Sequence, residues 1–149
     1  MKKIYPCIVG LGYVGLPLFV RLKNKFSTIG FDINKERVNY LLKKHDQNKE
    51  FNKKDLILKN SSVITNNVKK IKKSNFFIVT VPTPVNQKFE PNLKFLRDAL
   101  TTIGKNLKKG DIIFIESTIY PSVTQNFCIP ILERESKLKI NKDFIIGYS

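Results

Sequence analysis

The chain has 149 residues, of which 42% are apolar and 11% aromatic, enough to bury one sizeable core and too many for a disordered segment. Its 27 basic residues against 12 acidic ones give a formal charge of +15, which raises nucleic acid, membrane or phosphate as acidic partners. The charge is scattered in lysine pairs, with Arg21, Arg37, Arg97 and Arg134 as the arginines, so it reads as a solvated basic surface and no nucleic-acid partner is expected, because readers of bases and phosphates favour the arginine fork.

In chain order, short apolar runs of strand length alternate with stretches of helical periodicity, the rhythm of βαβ units around a parallel sheet. Residues 4–9 read as the first strand and residues 13–25 as a helix carrying Val14, Leu16, Leu18, Phe19 and Leu22, with Pro17 near its first turn, where a missing amide proton costs little. Residues 28–33 form a second strand. Asn34 caps a helix through Lys44 with Val38, Leu41 and Leu42 inward. Residues 45–60 are polar and rich in Lys and Asn, a loop with at most one helical turn. Residues 62–65 are a short third strand and 67–73 a brief helix or turn. Residues 76–81, closed by Pro82, make a strong fourth strand. A proline-rich loop over 82–92 precedes a helix over 93–108, with Leu93, Leu96, Leu100, Ile103 and Leu107 on one face and Gly110 as its stop. A strand over 112–115, a helix from Pro121 to about Ser136 and a strand over 144–146 complete the chain. The expected fold is α/β, a doubly wound, mostly parallel six-stranded sheet in one domain.

Cys7 and Cys128 lie far apart inside apolar runs, which argues against a disulfide and suits a reducing cytoplasm. No apolar run approaches the roughly 20 residues that cross a bilayer, and no small-residue cleavage site follows the N-terminus, so neither a membrane span nor a signal peptide is expected. His45 sits in a polar Lys/Asp loop and reads as solvated. No His/Cys/carboxylate grouping has metal spacing, and no metal is expected.

Gly10-Leu11-Gly12-Tyr13-Val14-Gly15 follows a predicted strand and opens a predicted helix, the context in which such a loop binds a dinucleotide. Gly10 suits the tight turn, Gly12 clears the approach of a pyrophosphate, and Gly15 lets helix and strand pack closely, while the amides of Tyr13 and Val14 meet the phosphates at the helix start. Asp32 ends the second strand, where a carboxylate accepts from the adenosine ribose hydroxyls and repels a 2′-phosphate, favouring NAD over NADP. Arg37 either flanks the adenosine end or is a solvated helix residue. Thr83, after the fourth strand, and Ser117 and Thr118, after the fifth, border the same crevice, and each also suits a turn or cap.

The segments GLGYVGLPL, GFDIN, VTVPTPVN and IESTIYPS, in this order and spacing across essentially the whole chain, resemble the cofactor domain of the UDP-glucose/GDP-mannose dehydrogenase family, and within it the branch acting on UDP-N-acetylhexosamines for surface polysaccharides. The resemblance implies a Rossmann-like fold, NAD as cofactor and oxidation of a UDP-sugar C6 alcohol to a carboxylate with two NAD⁺, through a cysteine thiohemiacetal and thioester. It places Tyr13 and Val14 at the pyrophosphate, Asp32 at the adenosine ribose, Arg37 at the adenosine end and Thr83 at the nicotinamide half. Thr118 falls at the reacting centre, positioning water. In the family the chain continues past the equivalent of Gly147-Tyr148-Ser149 into a connecting helix with dimer contacts and a sugar-binding domain carrying the catalytic cysteine, lysine and asparagine. A homodimer and a UDP-sugar partner are therefore implied for the whole enzyme, and the 149 residues alone are expected to bind cofactor with little or no turnover. Ser122 replaces a customary glycine and Asn92 a customary aspartate.

Overall fold

The strands are built largely from residues whose branched or aromatic side chains fit a pleated surface, buried on both sides at the centre of the sheet. In the computed structural model, which describes residues 3–85, 91–117 and 122–149, these are β1 (Pro6–Val9), β2 (Ile29–Phe31), β3 (Val63–Thr65), β4 (Phe76–Val79), β5 (Asp111–Ile115) and β6 (Phe144–Tyr148). They form one six-stranded sheet of order β3-β2-β1-β4-β5-β6. Every pairing is parallel, with Cys7 opposite Ile29 on one side and Phe77 on the other. The structure is therefore the doubly wound, Rossmann-like sheet expected from the alternating pattern.

Alternate side chains feed two cores. Cys7, Val9, Phe77, Val79, Ile113 and Ile115 pack with Leu96, Leu100 and Ile103 of α4 (Lys94–Gly104) and Leu132 of α5 (Ile129–Ser136). On the other face Ile8, Ile64 and Ile78 meet Leu16 and Phe19 of α1 (Gly15–Leu22) and Val38 and Leu41 of α2 (Lys35–Leu42). The short α3 (Val68–Ile71) makes the crossover between sheet halves and buries Ile71. Asn34 and Asn67 cap α2 and α3 through their side chains, satisfying amide donors that the helix leaves open.

The differences from the sequence reading have physical causes. Leu42 and Val14 are about half exposed, at 50% and 49%: Val14 precedes α1 as its N-cap, and Leu42 is the last residue of α2, beyond the reach of the segments that cover that helix. Helix α4 ends at Gly104, and Gly110 instead holds a left-handed φ of 82° just before β5. The helix expected over 121–136 begins, in part, outside the described residues. Its described portion opens with a π turn, Thr124–Cys128, closed by a bond from the Ile129 amide to the Thr124 carbonyl. Pro130 supplies the reason: its ring presses on the carbonyl four residues back, and a wider turn relieves that contact. Residues 45–60 hold no helix, yet they bury Asp46 and Leu56 at 4% and 2% exposure. The Lys23 ammonium, itself buried, donates to the Ile57 carbonyl at 2.8 Å and ties the same stretch to α1.

Ser122 has φ 73°, a left-handed conformation that explains why glycine suits this position. Ser122→Gly should raise stability by about 1 kcal/mol, read as a higher urea midpoint with unchanged slope. Asn92 accepts from the Lys94 amide at 3.0 Å, so it keeps the role of a side-chain acceptor at the helix entrance. Among the described residues no helix is long and apolar enough to cross a membrane, and no group of three metal-ligating side chains occurs.

Candidate cofactor site

The strand order reverses between β1 and β4, and in an open parallel sheet the crevice at that switch point is where ligands bind. A cleft of about 520 Å³ lies there, lined by the loop after β1 from Val9 to Tyr13, by Phe31 to Asn34 after β2, by Thr80 to Pro82 after β4, and by Lys94, Phe95, Asp98 and Thr102 of α4. Gln47 and Asn48 close its far wall. Its volume falls inside the roughly 300–1,000 Å³ common for small-molecule and cofactor sites.

The glycine loop is built for close approach. Gly10 has φ 100° and sits against the Thr80 carbonyl, with its own amide bonded to the Phe31 carbonyl at 2.8 Å. At Gly15 a Cβ would collide with the Gly10 carbonyl and the Thr80 hydroxyl. At Gly12 a Cβ would meet nothing within 4 Å, so the backbone there faces open cleft. Among the described residues the amides of Gly12, Tyr13 and Val14 donate to no protein oxygen. These donors at the mouth of α1, together with the positive end of the helix dipole, have the chemistry that suits an anionic diphosphate.

Asp32 occupies the cleft wall half-buried. Its Oδ2 accepts from the Leu11 amide at 2.8 Å and its Oδ1 from the Asn34 amide at 2.9 Å. Each carboxylate oxygen has a second lone pair, so two backbone bonds fix the group without exhausting it. Beside it Ile33 is 76% exposed at the cleft edge, an apolar platform where a flat ring can rest.

Arg37 is buried rather than solvated, yet it belongs to the cleft lining beside Asn34 and Gln47, its Nε donating to the Leu11 carbonyl at 2.9 Å and its Nη1 to Asp46 Oδ1 at 2.9 Å. Its Nη2 is buried without a protein partner among the described residues. Asp46 also accepts from the amides of Asn48, Glu50 and Phe51. Burial alone would push its carboxyl up, but the Asn48 amide, the Arg37 guanidinium and the Glu50 amide together hold it below the usual carboxylate range.

Thr83 is half-buried beyond the strand end and does not line the cleft. Thr80 does, and its hydroxyl donates to the Gly10 carbonyl at 2.7 Å, a clasp between β4 and the glycine loop that sequence reasoning passed over. Its position at the carboxyl end of a central strand was the available signal. Ser117 is buried, with its hydroxyl donating to the Val81 carbonyl at 2.7 Å, and joins the loops after β4 and β5 outside the cleft lining. Thr118 lies outside the described residues. For Asp46, Gln47 and Asn48 a polar loop composition concealed the role.

The cysteines stand apart from this chemistry. Burial pushes the Cys128 thiol up to about 11 and the Cys7 thiol further, so neither is a ready thiolate. The native protein should leave both unmodified by a thiol-specific chromogenic reagent until denaturant is added; rapid modification of folded protein would contradict their burial.

A family model, the NAD binding domain of the UDP-glucose/GDP-mannose dehydrogenase family, matches residues 3–149. The chain belongs to this family. It is the family's NAD-binding domain, and NAD is its cofactor. A UDP-N-acetyl-D-glucosamine 6-dehydrogenase from Pseudomonas aeruginosa is 45% identical over 100% of this chain and 35% of its own length. One from Salmonella typhi is 44% identical over 95% of this chain and 33% of its own. Among solved structures, a UDP-D-ManNAc dehydrogenase from Pyrococcus horikoshii superposes with a TM-score of 0.88 at 28% identity, covering 97% of this chain and 35% of that one. The chain thus spans about a third of the length of the family members it matches.

Proposed function

We propose that the chain is the cofactor-binding part of an NAD-dependent 6-dehydrogenase of a UDP-N-acetylhexosamine, working in the cytoplasm as a homodimer whose further residues bind the sugar. The observation that supports the reading is the pairing, across one cleft, of the Gly12 and Tyr13 amides, which have no acceptor among the described residues, with the anchored carboxylate of Asp32. The two 6-dehydrogenases named above support the sugar class and the C6 position. NAD⁺, when bound, supplies the hydride acceptor. The amides of Tyr13 and Val14 hold its diphosphate and Asp32 takes the adenosine ribose hydroxyls, repelling any 2′-phosphate. Arg37 acts from beneath the adenosine end rather than over it. On their motifs we assign Thr83 and Ser117 to the cofactor's nicotinamide side and Thr118 to the reacting centre, where it positions water.

Calorimetric titration with NAD⁺ and NADP⁺ tests this. Saturable binding that prefers NAD⁺ is expected, and Asp32→Ala should weaken NAD⁺ by about tenfold while narrowing the gap to NADP⁺. An unchanged NAD⁺/NADP⁺ ratio would remove Asp32 from cofactor choice, and no binding by folded protein would sink the reading.

A further inference from the structure

Asp46 lies outside the motifs that mark the cofactor site, in a stretch whose composition is that of a solvated loop, yet its side chain is completely buried. Four donors converge on it. Oδ1 receives Arg37 Nη1 and the Asn48 amide, and Oδ2 receives the Glu50 amide at 2.9 Å and the Phe51 amide at 3.2 Å. Only an ionised carboxylate is acceptor on all sides. An asparagine in either orientation would turn its NH₂ toward two of the four donors. Through the three amides Asp46 dictates the path of residues 47–51, and two of these, Gln47 and Asn48, wall the cleft beside Asn34 and Asp32. Through Arg37 it reaches the Leu11 carbonyl, and the amide of that same Leu11 is held by Asp32. One buried carboxylate therefore braces both the glycine loop and the wall that faces it.

We infer that Asp46 is a positioning residue for the cofactor, fixing the adenosine end of the cleft through Arg37 and the 47–51 turn without touching the ligand. This rests on the reading of the cleft as an NAD site. The device differs from direct recognition because its effect reaches every ligand that shares the adenosine diphosphate end, whatever is attached beyond it.

The test is a calorimetric comparison of NAD⁺ and ADP-ribose on wild-type, Asp46→Asn and Asp111→Asn proteins, each kept at a temperature where circular dichroism reports it folded. Asp111 is equally buried and paired with Lys108, but lies at the opposite end of the sheet, at the start of β5, and so controls for a general loss of stability. Asp46→Asn should weaken NAD⁺ and ADP-ribose by the same factor, about tenfold, whereas Asp111→Asn should lower Tm and leave both affinities alone. Wild-type affinity in folded Asp46→Asn, or equal losses in the two variants, would overturn the inference. Wild-type protein that binds neither ligand would overturn the NAD reading itself and this inference with it. Should Asp46→Asn fail to fold, hydrogen exchange on the wild type decides. NAD⁺ should slow exchange at the amides of Asn48, Glu50 and Phe51, and unchanged rates there in saturated protein would refute the bracing role.

Discussion

Gly15→Ala should cost the domain about 3 kcal/mol or more, lowering the urea midpoint far below that of the wild type. The added methyl has no direction in which to move. It meets the carbonyl of Gly10, which is fixed in a turn of φ 100° by its amide bond to Phe31, and the hydroxyl of Thr80, which is bonded to that same carbonyl. Relief requires prising α1 from β1 and opening the core around Leu16 and Phe19, both fully buried. Gly12→Ala is the matched comparison. A Cβ there meets nothing within 4 Å, so stability should stay within about 0.5 kcal/mol. On the proposed placement of the diphosphate, NAD⁺ binding should nevertheless weaken, because the methyl enters the open cleft. The two substitutions separate what the loop does for folding from what it does for the ligand. Equal stability of the Gly15 and Gly12 variants would refute that division.

Arg37→Met is expected to destabilise by about 3 kcal/mol at neutral pH, since it strips the counter-charge from a carboxylate that has no exposed surface. The pH dependence gives a sharper signature. Asp46 titrates below its ordinary range in the folded protein. Its stabilising contribution is therefore complete above the unfolded value of about 3.9 and is lost as pH falls through the lower folded value. Without Arg37, burial opposes ionisation with only the three amides to offset it, and the folded value rises. Thermal unfolding followed from about pH 7 to about pH 3 should show the variant losing Tm at a higher pH than the wild type. Parallel curves displaced by a constant would mean that the guanidinium contributes packing alone.

The sheet and its order of elements were legible because parallel strands buried on both faces, such as Phe76–Val79, are continuous apolar runs that little else in a soluble chain imitates. The glycine loop and Asp32 were legible because their geometry is local: a strand, a turn, a helix start and a carboxylate at the end of the next strand. What stayed hidden depends on pairs distant in sequence. The burial of Arg37 is illegible locally because its partner Asp46 sits in a run of polar residues, and nothing local distinguishes Asp46 from its exposed neighbours Lys44 and Gln47. The exposure of Leu42 and the early end of α4 arise from how far neighbouring segments extend over a helix face, which periodicity does not encode. Thr80, unlike Thr83, faces the cleft because β4 carries it beside Gly10, a placement created by pairing of strands whose contacts span seventy residues.

That span also has a bearing on how the chain acquires its shape. Strand β1 lies between β2 and β4, so its first partner is made soon after it while its second is separated by most of the first half of the chain. Closing so long a loop before any contact rewards it is entropically slow. During synthesis β1, α1 and β2 can associate early, but they leave one edge of β1 unpaired until β4 arrives. The donors and acceptors of Cys7 and Val9 on that edge, and the apolar side chains around them, are then open to strands of other molecules. Aggregation during refolding should accordingly be most sensitive to substitutions in β4, the strand that seals the centre of the sheet.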